Sequence, residues 1–235
     1  MSLELRWFFQ GKVPEETKRW FNKGFSYGKP SFEIGPKEDE MFQDIYLFNP
    51  EVDYSSVKFR NRCIIIKWRN NSIPINMRIK NMNISGKVEE WVSLDIEEYK
   101  NSEKIRQYLD KNSDQLLIKI NKNRQRYGFK MSLAQNNTIE HLTPGHNETK
   151  TDCSIELSTA MFEKNRNISW WSLRIKIFSK YNNKDQKLND GAKHMVEIIS
   201  KTFFKNYPQN NLIEIRSYGY PQLFSMYRNL IKSSN

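Results

Sequence analysis

Between Asp44 and Arg69 the chain alternates polar and apolar residues with a period of two, three times in succession, and the polar phase is charged. Asp44, Tyr46 and Phe48 share one strand face; Lys58 and Arg60 share another; Ile65, Lys67 and Arg69 share a third. The opposite phases carry Ile45 and Leu47, then Val57 and Phe59, then Ile64, Ile66 and Trp68. Successive strand side chains point to opposite faces, so each run presents a polar side and an apolar side. A solvated sheet face mixes its charges. Here Lys58, Arg60, Lys67 and Arg69 gather cations on one surface across two adjacent strands, an arrangement that needs an anion or carboxylates to compensate it. This face is the expected anion-binding wall.

The rest of the chain fits the same period. Ser2 to Phe9 sets Leu3, Leu5, Trp7 and Phe9 against Ser2, Glu4, Arg6 and Phe8, a strand pattern. Pro14 followed by Glu15 and Glu16 marks a helix start, and this helix runs to about Lys23 with Trp20 and Phe21 turned to the core. Pro74 demotes the segment Ile73 to Ile84 to an edge strand or a loop. Gly86 to Ile96 reads as a strand, with Lys87, Glu89 and Trp91 on one face. A short helix is expected over Asn101 to Lys111. Strands follow over Asp114 to Asn121 and Tyr127 to Leu133, with Asn123 to Arg126 as the turn between them. Residues 134 to 151 read as a polar loop. Cys153 to Met161 and Ile168 to Lys180 form a hairpin, and Asp190 caps a helix to about Tyr207 whose stripe is Met195, Ile198, Ile199, Thr202 and Phe203. Asn211 to Tyr218 is a last strand and Pro221 to Ile231 a closing helix. No repeat or linker divides the chain. The expected fold is α+β, a single domain over residues 1–235, with a large antiparallel β-barrel or tunnel and several flanking helices; a closed barrel with a wet interior accounts for strands polar on one face.

A chain of 235 residues can bury a substantial core. No apolar run approaches the roughly 20 residues of a membrane span, and the start lacks the basic-then-apolar pattern of a signal peptide, so a cytoplasmic protein is expected. Two cysteines, Cys63 and Cys153, make neither a disulfide framework nor a four-ligand metal site. His141, His146 and His194 lack metal-ligand or triad spacing, and there is no phosphate-binding glycine loop, nucleophile elbow or zinc motif. The formal net charge of +11 directs attention to polyanionic partners.

Glu4 and Arg6 are two apart and share a face, as do Asp44 and Tyr46; with Lys58, Arg60, Lys67 and Arg69 they compose a basic ring bearing a few carboxylates. In these residues the chain resembles the CYTH superfamily of triphosphate tunnel metalloenzymes, whose strands read Glu-x-Glu-x-Lys, Asp-x-Tyr, Arg-x-Arg and then a lysine. Ser2-x-Glu4-x-Arg6, Asp44-x-Tyr46, Lys58-x-Arg60 and Lys67 lie in that order over about the first 70 residues. The whole chain also looks like a group of uncharacterised cyanobacterial proteins that share the Glu-Leu-Arg-Trp-Phe start and the Trp-Trp-Ser-Leu segment. The resemblance implies an antiparallel tunnel that hydrolyses or cyclises triphosphate-bearing substrates with Mg2+ or Mn2+. It implies phosphate binding by Arg6, Lys58, Arg60, Lys67 and Arg69, and metal binding by Glu4 and Glu156, with Asp44 and Tyr46 as further tunnel residues. The pattern departs at Ser2, and Arg174 and Lys176 stand where the family has a Glu-x-Glu pair, which replaces metal ligands with positive charge.

The expected function is therefore binding of a phosphorylated small molecule or polyphosphate, with weak metal-dependent triphosphate hydrolysis as its catalytic form. No catalytic residue is assigned. The alternative is a non-enzymatic RNA-binding or interaction module that uses the basic face and stacks bases on Trp171 or Tyr127. The plain structural readings stand beside these: a solvated face for the four cations, a cross-strand ion pair for Glu4 and Arg6, and core packing for the paired tryptophans Trp170 and Trp171.

Overall fold

The computed structural model describes residues 2–23, 38–47, 55–60, 63–80, 82–96, 117–133, 139–144, 152–163, 165–178 and 190–232. In chain order the elements are β1 (Ser2–Gln10), α1 (Glu15–Asn22), β2 (Glu38–Leu47), β3 (Ser55–Arg60), β4 (Cys63–Ile79), β5 (Met82–Ile96), β6 (Leu117–Leu133), β7 (Ile139–Pro144), β8 (Cys153–Phe162), β9 (Asn165–Phe178), α2 (Asp190–Phe204) and α3 (Tyr220–Lys232). The fold is α+β. Its strands form one antiparallel sheet in the order β2-β3-β4-β5-β1-β9-β8-β6-β7. β2 has a second partner: it pairs with β6 from Glu38↔Arg126 to Leu47↔Leu117. β2 and β7 thus share one edge of β6 over successive halves, and the pairings lead from β2 through seven other strands back to β2.

The apolar phase of the strands builds the larger core. Leu3, Leu5, Trp7 and Phe9 of β1 lie with Ile155, Leu157, Leu173 and Ile175 of β8 and β9. α1 covers this side with Trp20 and Phe21, and α2 with Val196, Ile199, Phe203 and Phe204. The rings interlock: Trp7 meets Phe204 edge-on at 5.5 Å and Trp20 stacks on it at 5.9 Å. Two polar handles in this core are satisfied, Trp7 Nε1 donating to the Ser85 carbonyl at 2.8 Å and Tyr127 Oη to the Phe21 carbonyl at 3.1 Å. A buried tryptophan or tyrosine needs such an acceptor.

α1 forms as its sequence prescribes, with Pro14 before it, Glu15 and Glu16 in the first turn and Trp20 and Phe21 buried. Pro74 lies within β4. Beyond Arg69 that strand pairs, among the described residues, with β5 alone, so the proline sits on a stretch with an open edge there, where its missing N–H removes no ladder bond. Three expectations need correction. Asn123 to Arg126 is no turn: β6 is one strand from Leu117 to Leu133, held on both sides by β2 and β8. The loop expected over residues 134 to 151 contains β7, paired to β6. Asn211 to Tyr218 is no strand but an irregular segment with a 3-10 turn at Glu214–Arg216 and a single bridge, Trp7↔Ser217. The helix expected over Asn101 to Lys111 lies outside the described residues.

Candidate functional site

The polar phase of the strands faces away from α1 and α2, and it carries the charge. Register fixes its neighbours: Glu4 pairs with Glu89 and Lys176, Arg6 with Arg174, and Arg174 with Glu156, which pairs with Arg126. Glu4, Arg6, Asp44, Glu89, Lys122, Arg126, Glu156 and Arg174 are each under 10% exposed. Buried charges persist only when paired or hydrogen-bonded, and much of this face is paired.

Two clusters emerge. In the first, Arg174 holds Glu156 at 2.5 Å and reaches Glu4 at 3.6 Å; Arg6 lies 3.8 Å from both carboxylates, and Arg124 lies 3.8 Å from Glu156. Burial alone would push the Glu156 carboxyl up, but Arg174, Arg6 and Arg124 together outweigh it and hold the group down at about 2. Burial likewise opposes the Arg174 charge, and Glu156 and Glu4 overcome it, so its pKa is raised. In the second cluster Lys122 Nζ donates to Asp44 Oδ2 at 2.9 Å and to Tyr46 Oη at 2.6 Å, while the tyrosine hydroxyl donates to the same carboxylate oxygen at 3.1 Å. On β5, Glu89 accepts from Arg69 at 2.9 Å and from Trp91 Nε1 at 3.0 Å. Burial still raises the Glu89 pKa, because one half-buried arginine does not offset its desolvation.

In the first cluster, Arg6 Nη1 and Arg174 Nε are among the guanidinium nitrogens buried without an acceptor. Such donors each cost about 1–3 kcal/mol when left unmade. Among the described side chains, Arg69, Arg124 and Lys176 add three cations to the four acids and four bases buried on this face, so positive charge is in excess.

The structure brings together Arg6, Arg69, Glu4, Glu156, Asp44 and Tyr46 of the residues singled out from sequence. The side chains of Lys58, Arg60 and Lys67 lie outside those described; backbone register sets Lys58 opposite Tyr46 and Ile65, and Lys67 opposite Ser56 and Ser93. Glu4 and Glu156 face arginines. Among the described residues no three His, Cys, Asp or Glu side chains converge as a metal site would require. Trp171 and Tyr127 are 3% and 4% exposed, Trp171 stacked on Phe9 at 4.0 Å, so neither ring is presented as a base-stacking platform. Sequence reasoning missed Lys122, Arg124 and Arg126. They are in phase with Ile118 and Ile120, a usable signal, but Asn121, Asn123 and Gln125 make the opposite phase polar too and hide the strand.

An α+β antiparallel sheet with a buried, cation-rich polar face defines the class of protein this is. No family model matches the chain, and no curated protein matches it. Among solved structures it is similar to the PH1819 protein from Pyrococcus horikoshii OT3, at 14% identity and a TM-score of 0.45, with 95% of this chain and 98% of that one covered. No described helix is long and apolar enough to cross a membrane.

Proposed function

We propose that the polar face is the wall of a tunnel-like cavity that binds a phosphorylated small molecule or polyphosphate. The supporting observation is the pair Arg6 and Arg174: adjacent across β1 and β9, buried, and each with a guanidinium N–H lacking an acceptor. A phosphate oxygen supplies what both lack, and arginine's planar fork matches phosphate geometry. The circuit of strand pairings through β2 and β6 supports a tunnel around this face. So does the burial of its charges, because α3 is the one described helix packed on that side.

The reading is binding rather than hydrolysis. Glu4 and Glu156, the carboxylates proposed for Mg2+ or Mn2+, are engaged by Arg6, Arg124 and Arg174, and a divalent cation would have to displace those guanidinium groups. That donor set does not suit a hard cation, so no metal-dependent step is derived.

Calorimetric titration with tripolyphosphate tests the reading. The wild type binds, and Kd weakens steeply with salt as the phosphate–arginine contacts are screened. Arg6→Gln weakens binding by about 10- to 100-fold, the loss of one charge-assisted hydrogen bond of about 1.5–3 kcal/mol. Unchanged affinity in a folded Arg6→Gln protein removes the proposal. Phosphate release from tripolyphosphate, with and without Mn2+, checks separately that the face does not hydrolyse what it binds.

A further inference from the structure

The polar face is divided lengthwise into a charged zone and an apolar zone. At the end where β1 finishes and β9 begins, Phe8, Tyr46, Ile120, Ala160, Phe162 and Trp170 replace the charges. α3 occupies this belt. Leu223, Phe224 and Tyr227 are at most 5% exposed, with Tyr227 stacked on Phe162 at 3.6 Å and Phe224 edge-on to Tyr46 at 4.8 Å. Tyr220, the first residue of α3, stands at the boundary. Its ring stacks on Tyr46 at 5.4 Å, lies 3.6 Å from Lys122 Nζ, and lies 4.9 Å from the Arg6 guanidinium carbon. Among the described side chains, the charged zone ends where α3 begins.

We infer that α3 closes one end of the ligand cavity, with Tyr220 as its floor. The site is then single-ended: it takes the terminal phosphate of a short polyphosphate or phosphorylated small molecule, and it refuses the interior of a long chain. This rests on the binding reading above. Chemistry favours the same selection. A terminal phosphoryl group carries close to two negative charges at neutral pH, against one for an interior unit, and can face Arg6, Arg174 and Lys122 together. A through-running chain would have to pass Tyr220 and enter a belt of packed rings that, among the described side chains, offers its oxygens no cation.

The experiment titrates the full chain, at one ionic strength, with tripolyphosphate, a long-chain polyphosphate, the same polyphosphate with both ends blocked as phosphoramidates, and poly(U). Tripolyphosphate and the open long chain are expected to bind with similar affinity per chain end, while blocking the ends weakens binding at least ~10-fold, a factor readily resolved as about 1.4 kcal/mol. An end-blocked chain that binds as tightly as the open one overturns the single-ended site while leaving the anion-binding reading intact. Poly(U) binding more tightly than tripolyphosphate also overturns it, in favour of a strand-binding surface. No binding by any probe overturns the anion-binding reading and this inference with it. Tyr220→Ala, checked for folding by circular dichroism, locates the floor: the discrimination against the blocked chain should fall several-fold, and undiminished discrimination overturns the role of Tyr220. The wild-type comparison stands whether or not that variant folds.

Discussion

Glu156 and Glu89 are both buried glutamates on one polar face, and their surroundings send them in opposite directions. Glu156 faces three arginines and is held down at about 2, whereas Glu89 has one half-buried arginine and is raised. The lowered group contributes stability that is fully present above its unfolded value of 4.5 and is lost as pH falls toward about 2. The raised group works the other way: protonated Glu89 favours the folded state at low pH, and that contribution disappears as pH rises through its folded pKa. Urea unfolding between pH 7 and pH 2.5 should therefore show stability falling below about pH 4.5, with Glu89→Gln removing the opposing, low-pH benefit and leaving the acid loss in place. Glu156→Gln leaves Arg6, Arg124 and Arg174 facing an uncharged amide. It should cost about 3–5 kcal/mol, the usual penalty for breaking a buried ion pair, read as a lowered urea midpoint at pH 7.

At the scale of elements, the segment before α3 earns its irregular shape from the sheet it crosses. Ser217 bridges to Trp7, and its hydroxyl accepts the Lys87 backbone N–H at 2.7 Å. Leu212 accepts a bond from the Ser85 N–H, and Ser85 Oγ accepts one from the Glu214 N–H. The crossing needs room at Gly86. A Cβ there would lie 2.8 Å from Leu5 Cδ1, 3.0 Å from Ser217 Oγ and 3.2 Å from Trp7 Cζ2. Gly86→Ala should thus destabilise by about 1–3 kcal/mol, as overpacking does, and loosen the link between β5 and the chain leading into α3. Thermal denaturation gives the cost; faster amide exchange at Lys87 reports the loosening.

At the scale of the whole molecule the decisive contact is β2 against β6, ten consecutive register positions joining strands nearly 80 residues apart. With that ladder formed, both edges of β2 are occupied near residues 45–47. Amide hydrogen exchange should then find Ile45 and Tyr46 protected to a degree comparable with Leu173 and Ile175 in β9. Exchange at the rate of an exposed edge strand would mean that the circuit of pairings opens in solution, and the tunnel reading would lose its wall.

The alternation of β1 and β3, of β2 from Asp44, of β4 as far as Arg69 and of β5 from Gly86 was legible in the sequence, as was the spacing of α1 and α3, because each depends on local periodicity and on end signals such as Pro14. So was the sharing of one face by Glu4 with Arg6 and by Asp44 with Tyr46, which follows from strand parity alone. Continuity of β6 through Asn121 to Arg126 was not legible, since a strand whose two phases are both polar has no hydrophobic signal, and only its neighbours β2 and β8 hold it straight. Nor could the sequence say that Arg174, standing where a carboxylate was expected, would face Glu156 across β8 and β9. Register between distant strands is a property of the assembled sheet. The cations and carboxylates were written into the chain; which of them meet, and which donors are left for a ligand, was decided by tertiary pairing.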